Sequence, residues 1–98
     1  MDAGLTAAIV VYRGVLVDET EVFRYVLAYL PGFRTVTVGT ARGAYPGPGG
    51  VEVAEATLAE TAEPDVIVVP GGIGCHQQVE VAAWLRAASP AWIVASST

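Results

Sequence analysis

The stretch that decides the fold is PDVIVVPGGIGCH, which runs from Pro64 to His76. Its four aliphatic residues, Val66 to Val69, show no alternation of polar and apolar side chains. A short continuous run rich in β-branched residues is typical of a strand that is buried on both faces in a parallel sheet. Pro70 ends this strand because it has no N–H for the ladder and a fixed φ. The stretch therefore predicts an interior strand.

A glycine-rich turn follows this strand, with Gly71, Gly72 and Gly74 inside four residues. Glycine lets the backbone turn sharply and brings bare N–H groups close to a ligand. A helix is predicted from Gln77 onward, so the order is strand, glycine turn and helix start. An open α/β sheet has its binding crevice at such a turn. The glycines are equally compatible with a tight βα turn that binds nothing.

The chain is apolar and acidic. Of its 98 residues, 53% are hydrophobic and 15% are charged, and the net charge is −5. This length suits one small domain. So much apolar surface on so short a chain predicts that part of it contacts another chain or segment. The five basic residues are scattered, which argues against a nucleic-acid groove in this part, since phosphate binding needs clustered Lys and Arg.

Cysteine content and the N-terminal residues predict a cytoplasmic protein. A single cysteine cannot form an internal disulfide, which fits a reducing compartment. The first residues, MDAGLTAAIVVYRG, lack a basic n-region, and their apolar run is too short for a signal peptide or a membrane span. We therefore expect no contact with a membrane.

Two strands and a helix are predicted in the first part of the chain. The run AAIVVY, from Ala7 to Tyr12, predicts a first strand buried on both faces. The helix opens on an acidic cluster, with Asp18 as a possible N-cap, and Pro31-Gly32 stops it. Phe33 to Val38 alternates polar and apolar residues and predicts an outer strand. The apolar face predicted for the helix comprises Val22, Phe23, Val26, Leu27 and Leu30.

The middle of the chain is rich in glycine and proline. Residues 39–50 predict a small hairpin or excursion that ends in Val51-Glu52-Val53. Thr57 to Thr61 predicts either one short helical turn or a plain connector.

A further helix and strand follow the glycine turn. The segment from Gln77 to Ala88 predicts a helix, and Trp92 to Ala95 predicts another buried strand. The predicted stripe of that helix holds Val79, Ala82, Ala83 and Arg86, and Trp84 and Leu85 widen its apolar surface. The alternation of strands and helices predicts a doubly wound α/β domain with right-handed crossovers. The last strand should be interior in such a sheet, so we expect the missing half from the rest of the same gene product or from a second polypeptide.

Asp18 and Glu19 allow two interpretations. Acidic residues in the first turn of a helix are favoured by the helix dipole, and they also improve solubility. The alternative is that one of them lies under the crevice, because the loop after the first strand opens on the same side as the glycine turn.

Cys75 and His76 come directly after the glycines. A free cysteine is usually a small buried residue, and the alternative is a redox-sensitive thiol near the crevice. The histidine is predicted to cap the helix or to line the surface. No second His, Cys or pair of acids occurs at metal-ligand spacing, and no Lys follows the glycines as in a phosphate loop. We therefore expect neither a metal nor a cofactor.

The strings PDVIVVPGGIGCHQQ and, one helix later, WIVASST resemble the ThiJ/PfpI superfamily, which has the class I glutamine amidotransferase-like fold. The likeness is strongest to the amidase-like sensor domains of AraC-type transcription regulators and to isonitrile hydratases. It implies a flavodoxin-like, doubly wound and mostly parallel sheet with helices on both faces, a three-layer sandwich. It covers the N-terminal half of such a domain, so residues 1–98 are expected to form one part that ends at the nucleophile elbow.

The resemblance also implies a set of site residues. The family's nucleophile lies on a sharp elbow between a strand and a helix, and Ser97 falls on the position that is usually cysteine. A serine needs a positioned base, so Ser97 is a nucleophile, a polar lining residue or part of a turn. The family carboxylate corresponds to Glu19, with Asp18 as the alternative acid. The backbone N–H groups of Gly71 and Gly72 correspond to the oxyanion-stabilising turn. Cys75 and His76 would line the pocket.

Two functions follow from the resemblance. One is a hydrolase or hydratase that acts on a small carbonyl, amide or isonitrile compound. The other is a small-molecule sensor without catalysis, related to the sensor domains of transcription regulators. In both cases we expect a small-molecule ligand or substrate, the complementing half of the domain as a partner, and a homo-oligomer of the completed domain.

Overall fold

The computed structural model describes residues 4–61, 63–88 and 92–95. Its main sheet has five parallel strands. Numbered in chain order, they are β1 (Leu5–Val10), β2 (Phe33–Gly39), β5 (Ala56–Thr57), β6 (Val66–Val69) and β7 (Trp92–Ala95). The order across the sheet is β5-β2-β1-β6-β7. The predicted doubly wound, flavodoxin-like α/β fold is therefore confirmed.

The predicted excursion is a separate antiparallel hairpin. Its strands are β3 (Gly43–Gly47) and β4 (Gly50–Ala54). Pro48 and Gly49 form the tip, where Gly49 and Gly50 have positive φ angles of 96° and 144° that glycine adopts without strain. The hairpin is anchored to the sheet because the Thr37 hydroxyl donates a 2.6 Å hydrogen bond to the Val53 carbonyl. After β5, residues 58–60 form a single turn, in which the Thr61 N–H donates a 3.2 Å hydrogen bond to the Leu58 carbonyl.

Strand β1 is the centre of the core. Every residue from Ala7 to Tyr12 is at most 2% exposed. Its side chains alternate between the two faces of the sheet, so Ala8 and Val10 enter one apolar cluster and Ala7 and Ile9 enter the other. The predicted strand is confirmed, with bounds that lie two residues earlier in the chain.

Two helices cover the opposite faces of the sheet. Helix α1 (Val17–Ala28) packs Phe23 and Leu27 against Ala7 and Ile9. Helix α2 (Val79–Ala87) packs on the other face and follows a 3₁₀ turn at Cys75–Gln77. Its contacts with the first cluster come from Val81, Trp84 and Leu85. Neither α1 nor α2, the α-helices of the described part, has the length and apolar character that crossing a membrane requires.

The predicted apolar faces of both helices were partly wrong. Val22 and Val26 are 60% and 53% exposed, because the inward stripe of α1 is Val17, Thr20 and Leu27. Leu30 lies beyond the end of α1 and is 45% exposed. The N-cap is Leu16, not Asp18, since the helix starts one residue before the first acid.

In α2 the buried residue is Val81, whereas Val79 is 78% exposed. The inward side of this helix carries Val81, Trp84 and Leu85. The predicted apolar contribution of Trp84 and Leu85 is confirmed, whereas the predicted stripe through Ala82 and Arg86 was wrong. In each helix part of the predicted face was correct and part was misplaced, because a shift of one residue rotates a helix position by 100°.

Strand β7 is the edge of the described sheet. It pairs in parallel with β6 from Val66↔Trp92 to Val69↔Ala95. All four of its residues are exposed, and Trp92 and Ile93 reach 69% and 52%. The strand itself was predicted correctly. Its burial was predicted for a complete domain, and among the described residues nothing packs on its outer side.

Candidate functional site

Three loops meet at the carboxyl edge of the sheet. Strands β1 and β6 are parallel neighbours, so the loops that follow them open on the same side. Backbone hydrogen bonds join these loops, from the Leu16 N–H to the Gly71 carbonyl and from the Ile73 N–H to the Gly14 carbonyl, both at 2.9 Å. The hairpin tip is the third loop, and the Gly14 N–H donates to the Pro46 carbonyl at 2.8 Å. The site is therefore a rigid arrangement of backbone.

Glu19 lies directly against the glycine turn. The Gly71 N–H donates a hydrogen bond to Glu19 Oε1 at 2.5 Å, across 52 residues of sequence. The carboxylate comes from the first turn of α1, and its side chain is half-buried. The structure thus brings together two of the predicted site elements. The Gly71 N–H therefore already has an acceptor in Glu19. The Gly72 N–H has none within the described residues, so of these two backbone donors it is the one open to a ligand.

Gly72 has room only for a hydrogen atom. A Cβ there would lie 2.4 Å from the Gly14 carbonyl oxygen and 2.9 Å from the Tyr12 hydroxyl. This close approach explains why the turn needs glycine at this position. Glycine is needed because the turn packs against the loop after β1. The sequence pattern did not indicate this contact.

Asp18 occupies a different position from Glu19. It is exposed, and its carboxylate lies beside the hairpin tip, where a Cβ on Gly49 would be 3.3 Å from Oδ1. Both acids line a concavity of about 500 Å³ whose other walls include Val22 and Pro48. The backbone bond to the glycine turn comes from Glu19, so the geometry favours Glu19 over the alternative acid.

Tyr12 belongs to the site and was missed as a functional residue. Its side chain is 2% exposed, and its hydroxyl donates a 2.7 Å hydrogen bond to the Pro70 carbonyl. Burial raises the pKa of the Tyr12 phenol well above 10, and the nearby Cys75 and Glu19 raise it further. The hydroxyl is therefore held as a neutral donor beneath the glycine turn. The signal in the sequence was a polar tip at the end of an otherwise aliphatic strand.

Cys75 lies beside Tyr12 on the inner side of the turn. Its half-buried side chain packs against the same apolar cluster as Tyr12. The backbone of His76 lies in the 3₁₀ turn, but its side chain lies outside the described residues. Ser97 also lies outside them, so the predicted elbow is not placed here. Within residues 4–61, 63–88 and 92–95, no three His, Cys, Asp or Glu side chains are grouped in a way that would hold a metal ion.

Comparison with solved structures identifies the same fold elsewhere. A ThiJ/PfpI family protein from Pseudomonas syringae matches 96% of this chain with a TM-score of 0.85 and 19% identity. A mutant of a DJ-1 superfamily protein from Salmonella typhimurium matches 84% with a TM-score of 0.67 and 24% identity. A candidate transcriptional regulator from Vibrio parahaemolyticus matches 94% with a TM-score of 0.61 and 17% identity.

These likenesses establish the fold, and they confirm that the resemblance to ThiJ/PfpI proteins is structural. No protein-family model matches the sequence, and neither does any curated protein. The chain covers 42%, 48% and 56% of the lengths of the three solved chains. It therefore corresponds to about half of each of them.

Proposed function

We propose that this chain carries half of a small-molecule site of the ThiJ/PfpI type, and that the site adds water or a hydroxyl nucleophile to a small carbonyl, amide or isonitrile compound. The observation that carries the proposal is the hydrogen bond between the Gly71 N–H and Glu19 Oε1. It fixes a carboxylate beside a backbone donor at the carboxyl edge of a parallel sheet, where α/β proteins bind ligands.

In this proposal Glu19 transfers the proton, and the glycine turn stabilises the negative charge that develops on the substrate. The nucleophile, either the Ser97 hydroxyl or water, forms a bond to the electrophilic carbon as Glu19 accepts its proton. In a carbonyl or amide compound, the electron pair of the C=O bond moves to the oxygen, and the Gly72 N–H stabilises the negative charge there. Glu19 then returns the proton to that oxygen or to the leaving group. In an isonitrile, the attacked carbon keeps its lone pair, so Glu19 returns the proton to that carbon. Where Ser97 is the nucleophile, water then adds to the same carbon and releases the serine hydroxyl, with Glu19 again transferring the proton. Tyr12 supports the turn from below through the Pro70 carbonyl.

The test is a product screen by mass spectrometry with small carbonyl, amide and isonitrile compounds. We expect Glu19→Gln to lower turnover by about 100-fold, as loss of a general base does. Ser97→Ala should lower turnover by a similar factor if the serine hydroxyl is the nucleophile, and should leave it unchanged if water is. Glu80→Gln, in the exposed first turn of α2, serves as the control and should retain turnover. Asp18→Asn tests the alternative acid. Full turnover by Glu19→Gln would overturn the assignment of that residue.

A sensor function is the second candidate. Two observations favour it: the fold is shared with a candidate transcriptional regulator, and Ser97 stands where the family usually has cysteine. In this case the same site binds its ligand without chemistry. Compounds that bind to the wild type and to Glu19→Gln with no product from either would support the sensor and exclude the enzyme.

We further propose that the sheet continues beyond β7 in the other half of a ThiJ/PfpI-type domain. Trp92, Ile93 and Val94 are 69%, 52% and 41% exposed although their sequence is typical of a buried strand. An exposed apolar edge strand is a template for pairing. Gel filtration and thermal melting of the chain test the idea. We expect association, whereas a soluble monomer with a cooperative melt would contradict it.

A further inference from the structure

The three loops of the site enclose a second concavity on the other side of the hairpin tip. It has a volume of about 640 Å³, within the range of small-molecule sites. Its walls come from the loop after β1, the hairpin tip and the end of the glycine turn: Arg13, Gly14, Pro46, Gly47, Pro48, Ile73, Gly74, Gln77 and Gln78. We call it the Arg13 groove. It adjoins the concavity beside Glu19, because Pro48 lines both.

The Arg13 groove is held by backbone contacts and has little freedom to collapse. The Gly14 N–H donates to the Pro46 carbonyl at 2.8 Å, and the Ile73 N–H donates to the Gly14 carbonyl at 2.9 Å. A Cβ on Gly14 would lie 2.3 Å from the Ile73 carbonyl oxygen. The walls are therefore in direct backbone contact and are preorganised for a ligand, which lowers the cost of binding.

Arg13 is the one charged residue among the described residues that line the Arg13 groove. The ion pairs of the described residues involve Arg24 and Arg42, and Arg13 takes part in none of them. Among the described residues that line the groove there is no acid beside this guanidinium, although the chain has a net charge of −5. Its planar fork of N–H donors matches a carboxylate in a bidentate geometry.

The remaining lining residues suit the rest of a compact molecule. Gln77 and Gln78 offer side-chain amides, and Gln78 Nε2 is held by a 3.2 Å hydrogen bond to the Gly74 carbonyl. Ile73 is 73% exposed and presents an apolar surface beside the prolines of the hairpin tip. A polar group and a short hydrocarbon segment would both find contacts.

We propose that the Arg13 groove binds a carboxylate of the small molecule whose reactive group lies at Glu19 and Gly72. The inference rests on the proposed function and narrows its substrate class to carbonyl, amide or isonitrile compounds that carry a carboxylate. Arg13 orients the molecule and selects it by charge, and it takes no part in the chemical step.

The experiment uses a matched pair of probes, levulinate and its neutral amide, in titrations of the ¹⁵N-labelled chain followed by amide NMR. We expect levulinate to shift the Gly14, Ile73 and Gly74 signals and to bind at least tenfold more tightly than the amide, as a charge-assisted pair provides. Arg13→Gln should abolish that preference. Arg86→Gln, on the exposed part of α2, should retain it. The preference should weaken as salt concentration rises.

Several outcomes would overturn the proposal. They are equal binding of the two probes, shifts outside the Arg13 groove, or an equal loss of affinity in Arg13→Gln and Arg86→Gln.

The proposed function and the Arg13 groove can be tested independently of each other. If levulinate still binds more tightly than the amide while Glu19→Gln leaves turnover intact, the groove assignment is supported and the proposed chemistry is wrong. If turnover needs Glu19 but is indifferent to Arg13 and to substrate charge, the chemistry stands and the groove assignment falls.

Discussion

Arg24→Ala is expected to destabilise the fold by about 2 kcal/mol at neutral pH, since it leaves a buried carboxylate without its cation. Arg24 Nη2 donates a 2.9 Å hydrogen bond to Glu52 Oε1, and the Glu52 side chain is 4% exposed. The other carboxylate oxygen, Oε2, is buried without a hydrogen-bond partner in the described residues. Removal of a partner from a fully buried pair costs about 3–5 kcal/mol, and 35% exposure of the Arg24 side chain lowers the figure here.

The penalty should depend on pH with a definite sign. Burial raises the pKa of Glu52 above its ordinary value of 4.5, while Arg24 acts against that rise. Without Arg24 the pKa of Glu52 should rise further. The folded state then binds more protons than the unfolded state above pH 4.5, so stability falls as pH rises through that window. Below pH 4.5 Glu52 is protonated in both states and most of the penalty should disappear. Urea unfolding between pH 4 and pH 7 measures this difference.

Arg42→Ala is the matched control. Arg42 donates two hydrogen bonds to Glu60, at 2.8 and 3.1 Å, and one to the Glu55 carbonyl at 2.9 Å, but the side chains of Arg42 and Glu60 are largely exposed, at 62% and 46%. An exposed pair of this kind contributes little, because water solvates both charges and salt screens them. We expect the free energy of unfolding of Arg42→Ala at neutral pH to be close to that of the wild type. If Arg24→Ala also unfolds like the wild type at pH 7, Glu52 does not depend on Arg24 for its charge.

The main sheet could be predicted because its strands are encoded locally. Val66 to Val69 and Ala7 to Tyr12 are continuous aliphatic runs, and a parallel strand buried on both faces needs nothing more. The glycine turn and its proximity to Glu19 followed from the rule that loops after parallel strands share one edge. The resemblance favoured Glu19 over Asp18, and the coordinates add the hydrogen bond from the Gly71 N–H to Glu19, since neighbouring residues on a helix point in directions 100° apart.

Features that depend on distant contacts could not be read from the sequence. The hydroxyl of Tyr12 bonds to the Pro70 carbonyl across 58 residues. Position 14 requires glycine for two reasons: the Ile73 carbonyl lies close to it, and its φ is 98°. The hairpin was predicted as an excursion, but a pattern of glycines and prolines does not say where the tip comes to lie. The tip contributes Pro48 to both concavities of the site, and no pattern in the sequence indicated this part of the site.

Gly47→Ala is expected to destabilise the fold by about 3 kcal/mol, at the upper end of what overpacking costs, since no rotamer can relieve the clash. A Cβ at Gly47 would lie 1.9 Å from the Val15 carbonyl oxygen and 2.9 Å from the Val15 backbone nitrogen. Relief requires the hairpin to move away from the loop after β1. That movement should break the bond from the Gly14 N–H to the Pro46 carbonyl, so hydrogen exchange at Gly14 should accelerate.

Gly43→Ala, at the start of the same hairpin, separates the clash from the general effect of adding a methyl group. A Cβ there meets no atom within 4 Å, so its cost comes from the φ of 126° alone. We expect the denaturation midpoint to fall less than in Gly47→Ala, with exchange at Gly14 unchanged. If both variants lose the same stability and the Gly14 N–H remains protected from exchange in each, the hairpin tip does not pack against Val15. Since the tip forms a wall of both concavities, Gly47→Ala should also weaken ligand binding at the site, whereas Gly43→Ala should not.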